Sequence, residues 1–321
     1  MHEYEAYDPD VLCALAEATG EDDVLLTERL APYTTFGIGG AADVLVVPRS
    51  VEALVKVLNV CAIAGWPVTV LGNGSNVLVS DRGVRGAVVL LRENLAAIEV
   101  DAAHGRVTAE AGALLRDVAL AAAEASLTGM EPLWGIPASV GGACCMNAGA
   151  YNVSTSDVLE SVQVYVPGRE QPDGSRSKGV VQTLTVGELH MGYRQSRVRD
   201  DGLTVLSATF CLQPGMEAVI RSDMAEYQRK REEKQPLDLP SAGSTFKRPA
   251  GHFAGKLIQD AGLAGTRVGG AEVSTKHCGF VVNAGGARAR DVLGLIELVQ
   301  ERVLEDSGVK LEPEVRLIGE F

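Results

Sequence analysis

Aromatic residues are scarce in this chain, only 5% of its 321 residues, and positive charge is outweighed by negative: 29 Lys and Arg stand against 42 Asp and Glu, a net charge of −13. That balance disfavours a nucleic acid or an anionic membrane as partner, because the summed field repels both. No apolar run approaches the length a bilayer crossing needs, and the opening carries Glu3, Glu5, Asp8 and Asp10 where a leader would be basic and then apolar. The expectation is a soluble, cytoplasmic protein. The six cysteines show neither C-x-x-C nor zinc spacing and several lie in apolar segments, so they read as reduced thiols. The five histidines form no H-E-x-x-H and no paired ligand spacing, which leaves a metal without support.

Glycine, by contrast, is abundant: 36 residues, implying many tight turns and places where backbone must lie close to a ligand. The length exceeds a single core and predicts two or three packed domains. Dominance of aliphatic over aromatic residues reads as an α/β or α+β enzyme.

Periodicity predicts a helix over 10–19 and a strand over 43–47 closed by Pro48. A helix capped by Ser50 follows and stops at Gly65, and a strand at 68–71 runs into Gly72-Asn73-Gly74-Ser75-Asn76. Such β-α-β units meet ligands at that position. Further strands are predicted at 76–79, 87–91, 98–100, 106–109, 162–166, 203–212, 279–283 and 315–318. Helices are predicted over 114–125, 222–234 and 289–306, and the prolines at 236 and 240 mark the main domain boundary.

Several segments carry chemistry-bearing residues. Ser244, behind Gly243 and ahead of Lys247 and Arg248, sits on a small-residue turn that could push a hydroxyl into a pocket to protonate or hold an anionic substrate; a plain turn is the alternative. Residues 37–42 match G-x-G-x-x-A, yet precede a strand and open no helix, which rejects a dinucleotide fingerprint. Residues 72–76 could offer successive N–H groups to one anion or form a hairpin turn. Residues 135–142 and 147–151 read as a long small-residue loop, either ligand-binding or a tightly packed crossover. With Thr34-Thr35 and no P-loop lysine, these loops suggest a large cofactor held by backbone amides and hydroxyls.

In order along the chain stand TTFGIGG (34–40), LGNGSNVLVSDRG (71–83), GIPASVGGACCMNAGAY (135–151), GYRQS (192–196), SAGSTFKRP (241–249), GKLIQDAGLAGTRVGGAEVSTKHCGFVVN (255–283) and LEPEVRLIGE (311–320). Together they resemble the UDP-N-acetylenolpyruvoylglucosamine reductase family over roughly residues 30–320. The resemblance implies an α+β chain: a two-lobed FAD-binding fold of the vanillyl-alcohol-oxidase (PCMH) type followed by a smaller α/β substrate domain. It places the first FAD-binding lobe at 1–86, with the strand at 312–321 returning to it, the second lobe at 87–222 and the substrate domain at 235–311.

The implied activity is flavin-mediated reduction of UDP-N-acetylglucosamine enolpyruvate by NADPH, giving UDP-N-acetylmuramate for peptidoglycan precursors, with FAD held noncovalently. The implied catalytic residues are Ser244 as proton donor, with Arg194 and Glu314 polarising the substrate carboxylate and stabilising the enolic intermediate. The implied flavin contacts are Thr35, Gly39, Gly72, Asn73, Gly74, Ser75, Asn76, Pro137, Ser139, Gly141, Gly142, Asn147, Gly149 and Ala150. Tyr193, Lys234 and Lys247 fall to the substrate, and Lys247, Lys256, Arg267 and Lys276 are candidates for its diphosphate. Small molecules are then the only partners, and a monomer is the default. Ala138, Cys144-Cys145, Val198 and Arg248 depart from the family's common residues, and none is among the three catalytic positions.

The residue types suit the chemistry. Reducing an enolpyruvyl double bond loads negative charge onto the neighbouring carbon and carboxylate, so a fixed cation lowers the barrier and one positioned proton donor completes the reaction. An oxidase of the same fold is the alternative; such oxidases often attach flavin through a histidine, which the glycine-rich loops lack. A scaffold without turnover is the third, against which Ser244, Arg194 and Glu314 weigh.

Overall fold

The structure, a computed structural model, describes residues 7–321; Glu3 and Glu5 of the acidic opening lie outside them. The chain divides into two compact units. One holds the residues up to Thr27, Asp43–Asn73 and Gly86–Arg229; the other holds Glu28–Ala42, Gly74–Arg85 and Lys230–Phe321.

In the first unit the helix Val51–Ala64 forms where periodicity placed it. The Ser50 hydroxyl accepts from the N–H of Ala53 at 3.1 Å, Gly65 at φ 70° ends the helix, and Leu54, Val57, Leu58 and Cys61 form its buried stripe. The strand before it, Ala42–Val46, is buried throughout. It lies in a four-stranded sheet of order Val24–Leu26, Ala42–Val46, Val84–Leu90, Val68–Leu71. Val68–Leu71 runs parallel to its neighbour with Leu71 opposite Leu90, so its carboxyl end delivers the chain to Gly72.

A second sheet of this unit is antiparallel and five-stranded, in the order Val180–Thr185, Leu159–Val166, Thr204–Cys211, Arg106–Glu110, Ile98–Asp101. The alanine-rich helix Leu115–Glu124 buries Leu115, Val118, Ala119, Ala122 and Ala123. Residues 135–151, expected as one loop, contain a helix at Val140–Met146. Gly141 and Gly142 each cost about 1 kcal/mol of helix propensity, which hides it in sequence, and burial of Val140, Ala143 and Cys144 overrides that cost.

The second unit has its own core, from Phe36 and Ile38 through Leu78, Phe246, Ile258 and Val281 to Leu295, Val299 and Leu311. Its antiparallel sheet runs Ser241–Ser244, Phe280–Asn283, Ala271–Val273, Arg267–Val268. The helix Ala289–Ser307 buries Val292, Leu295, Ile296, Val299 and Val303 at helical spacing and ends at Gly308, φ 71°. Its first free N–H groups, those of Ala289 and Arg290, donate to Asp81 Oδ1 and Oδ2 at 2.9 and 3.1 Å. The strand Arg316–Ile318 pairs in parallel with Val77–Val79.

Among the described residues no helix is long and apolar enough to cross a membrane, and no group of three or more His, Cys, Asp or Glu could hold a metal ion. Among the described residues no cysteine is joined in a disulfide.

Candidate active site

Within the first unit, two small-residue segments far apart in sequence are brought against each other. Asn73 Nδ2 donates to the Pro137 carbonyl at 2.6 Å. A Cβ on Gly72 would collide with Ser139 Oγ, so only glycine permits this approach. Ser139 itself caps the helix that follows, its hydroxyl accepting from Gly142 N–H at 3.4 Å. The N–H groups of Val140 and Gly141 are committed to the carbonyls of Ala113 and Ala111, both at 2.8 Å, so this segment's contribution to a ligand is its shape more than its amides.

Asn147 ends that helix in the left-handed region at φ 42°. Its Oδ1 accepts from Ser156 N–H at 3.0 Å, and its Nδ2 donates to the Gly192 carbonyl at 3.0 Å. Gly149 and Ala150 pair with Ser154 and Val153 in a two-residue hairpin. Gly192 and Gln195 close a turn whose inner residues are Tyr193 and Arg194. Arg194 takes φ 56°, unusual for a side chain this large and a mark of strain held by its surroundings. Its Nη1 donates to the Asn147 carbonyl at 3.3 Å, its carbonyl accepts from Arg199 Nη1 at 2.7 Å, and its guanidinium lies 5.0 Å from the Tyr193 ring centroid. Ser196 Oγ pins the turn to the Cys145 carbonyl at 2.6 Å.

The second unit holds Ser244 and Glu314. Ser244 lies on a strand, not the turn expected of it. The four residues from Ser241 to Ser244 oppose the three from Phe280 to Val282, and Gly243 at φ 73° absorbs the extra one as a bulge. The bulge leaves Ser244 exposed, with no partner for its hydroxyl among the described residues. Thr245, next to it, turns inward: its hydroxyl accepts from Val281 N–H at 2.9 Å. Its carbonyl receives the N–H of Glu314 at 2.8 Å.

Thr35 spans two further segments of this unit. Its N–H donates to the Gly74 carbonyl at 3.2 Å and its hydroxyl to the Ser241 carbonyl at 2.7 Å. Gly39 packs against the backbone of Leu30 and Ala31. Asn76 Nδ2 donates to the Glu314 carbonyl at 3.3 Å.

The N–H groups of Gly72 and Asn73, and those of Gly74, Ser75 and Asn76, donate to no acceptor among the described residues. Uncommitted amides on small residues are groups an anion can accept from.

The cations near these segments are mostly committed. Lys247 Nζ pairs with Glu312 at 3.1 Å, Lys256 with Asp260, and Arg267 Nε with Glu272 at 2.6 Å, while Lys276 Nζ caps the helix Glu217–Lys234 through the Glu232 carbonyl at 2.6 Å. Lys234 is exposed at the end of that helix. His277 is packed against Phe280, ring centroids 5.1 Å apart, and burial pushes its imidazole below the ordinary histidine range.

Sequence reasoning passed over Thr245 and Asp81, which hold Glu314 and the helix Ala289–Ser307. Both act on partners distant in the chain, Asp81 some two hundred residues away, and no local spacing announces that.

A family model for an FAD binding domain matches residues 42–169, and one for the UDP-N-acetylenolpyruvoylglucosamine reductase C-terminal domain matches residues 235–318. The chain is thus a flavoprotein oxidoreductase of mixed helix and strand content, with FAD as cofactor, an FAD-binding part and a smaller domain after it. The UDP-N-acetylenolpyruvoylglucosamine reductase of Agathobacter rectalis is 51% identical over 308 residues, 93% of this chain and 95% of that protein. That of Lactococcus lactis subsp. cremoris is 48% identical over 297 residues, 92% and 95%. The crystal structure of the reductase from Thermus caldophilus superposes with a TM-score of 0.73 at 37% identity, covering 92% of this chain and 98% of that one. The chain belongs to the UDP-N-acetylenolpyruvoylglucosamine reductase family.

Proposed function

We propose that this protein reduces the enolpyruvyl double bond of UDP-N-acetylglucosamine enolpyruvate at the expense of NADPH, forming UDP-N-acetylmuramate for peptidoglycan. The observation that carries the reading is the exposed, unpartnered hydroxyl of Ser244 beside a backbone hydrogen-bonded to Glu314, in a chain of this family.

FAD, when bound, supplies the two-electron chemistry that couples NADPH to the enolpyruvyl group. Gly72, Asn73, Gly74, Ser75 and Asn76 offer it amides, while Thr35, Gly39, Pro137, Ser139, Gly141, Gly142, Asn147, Gly149 and Ala150 supply small, fixed walls. Arg194 and Glu314 polarise the substrate carboxylate and stabilise the enolic intermediate as charge builds on it. Ser244 Oγ–H gives its proton to the substrate carbon that carries the developing negative charge, and solvent restores the hydroxyl. A positioned donor of this kind is worth about 10² to 10⁴ in rate, roughly 3 to 5 kcal/mol of barrier. Tyr193, Lys234 and Lys247 meet the nucleotide sugar.

The proposal includes the domain limits read from the sequence: lobes at 1–86 and 87–222, the strand at 312–321 joining the first, and the substrate domain at 235–311. It includes a cytoplasmic monomer that binds no nucleic acid or membrane, for which six cysteines outside disulfides and the net charge of −13 speak.

The test is the colour of the purified protein. Noncovalent FAD should be released on denaturation, the yellow form should bleach with NADPH without oxygen, and the enolpyruvyl nucleotide should restore it. Recolouring only by oxygen would overturn the reading.

A further inference from the structure

The two peptide groups that flank the Glu314 Cα are both held. Its N–H donates to Thr245, adjacent to Ser244, at 2.8 Å; its carbonyl accepts from Asn76 Nδ2 at 3.3 Å. Asn76 also receives the Arg316 N–H on its own carbonyl at 3.0 Å, so it grips the chain on both sides of Val315. The parallel pairing of Val77–Val79 with Arg316–Ile318 continues the contact beyond it. At the far end of 74–76, Thr35 ties the Gly74 carbonyl to Ser241. These residues all belong to one compact unit.

We propose that Asn76 is a positioning residue for Glu314, fixing the backbone from which the carboxylate projects and linking its placement to the glycine-rich segment. The proposal rests on the reading of Glu314 as catalytic. The chemistry is specific to an amide. A carbonyl oxygen only accepts, so the group facing it must donate; aspartate has the shape of asparagine and no N–H to give, and its charge would repel the carbonyl dipole. Misplacement of a reacting group by a fraction of an ångström is costly to turnover while leaving binding of other ligands intact.

The experiment is a double-mutant cycle on the holoenzyme, with Asn76→Ala, Asn76→Asp, Glu314→Gln and the combinations, followed by anaerobic stopped flow. In FAD-saturated Asn76→Ala and Asn76→Asp, reoxidation by the enolpyruvyl nucleotide should slow by roughly tenfold more than bleaching by NADPH does. In the Glu314→Gln background, Asn76→Ala should change reoxidation less than about twofold, because the group it positions is already gone. In the holoenzyme, amide exchange at residues 314–316 should quicken in both variants.

Equal losses in both backgrounds, or bleaching slowed as much as reoxidation in both variants, would overturn the proposal and leave Asn76 with a structural or cofactor role. Normal reoxidation in Glu314→Gln alone would instead remove Glu314 from the mechanism, a separate failure of the underlying reading.

Discussion

The Glu314 N–H donates to the Thr245 carbonyl at 2.8 Å, which seats one proposed catalytic residue directly beside the strand that presents another, Ser244. Both depend on main-chain hydrogen bonds between segments distant in the chain, so their relative position is a property of the fold of one unit and not of flexible side chains.

The closeness of Gly72 to Ser139 makes a steric prediction. Gly72→Ala should cost about 1 to 3 kcal/mol and weaken FAD retention, because the new methyl has no room and the backbone must shift. Adding Ser139→Ala removes the hydroxyl it strikes and should recover part of the loss. Urea unfolding and flavin release measure both; a Gly72→Ala variant as stable as the parent would refute the packing.

His277 predicts a pH dependence of stability. Its Nδ1 accepts from Gly279 N–H at 3.1 Å, and burial holds its pKa below the ordinary value, so the folded state favours the neutral ring. Between the depressed folded value and the unfolded one, near 6.5, the unfolded chain binds more protons, and stability rises with pH. The contribution is complete above about pH 6.5 and is lost as the pH falls below it. Chemical unfolding across that window should show the slope, and His277→Gln should remove its share.

How much of this was legible beforehand depended on whether partners were local. Val51–Ala64 and Ala289–Ser307 follow from periodicity and punctuation, since Ser50, Gly65 and Gly308 act within a turn of the elements they bound. Ser241–Ser244 read as a turn because Gly243 and two serines are turn residues; the strand exists only through its pairing with Phe280–Asn283. Val180–Thr185 escaped notice as an exposed edge strand, where only its partner Leu159–Val166 supplies the pattern. At the site, residue identities came from motifs, whereas the commitments of Lys247, Arg267 and Lys276 to Glu312, Glu272 and Glu232 depend on three-dimensional neighbours and could not be read from spacing.

The thiols should divide by burial. Burial pushes Cys61 and Cys144 up to about 12, while Cys13 and Cys211 are exposed. At about pH 8, iodoacetamide should modify Cys13 and Cys211 in the native protein and leave Cys61 and Cys144 untouched until denaturant is added, as read by mass spectrometry. Native labelling of Cys144 would contradict the packing of the helix Val140–Met146.

The most direct test of the account is Ser244→Ala in an anaerobic stopped-flow experiment that follows flavin absorbance through both halves of the reaction. The predicted result is unchanged bleaching by NADPH with reoxidation by UDP-N-acetylglucosamine enolpyruvate slowed by about 10² to 10⁴. Reoxidation at the parent rate would contradict it, because the proton would then come from somewhere other than the bulged strand.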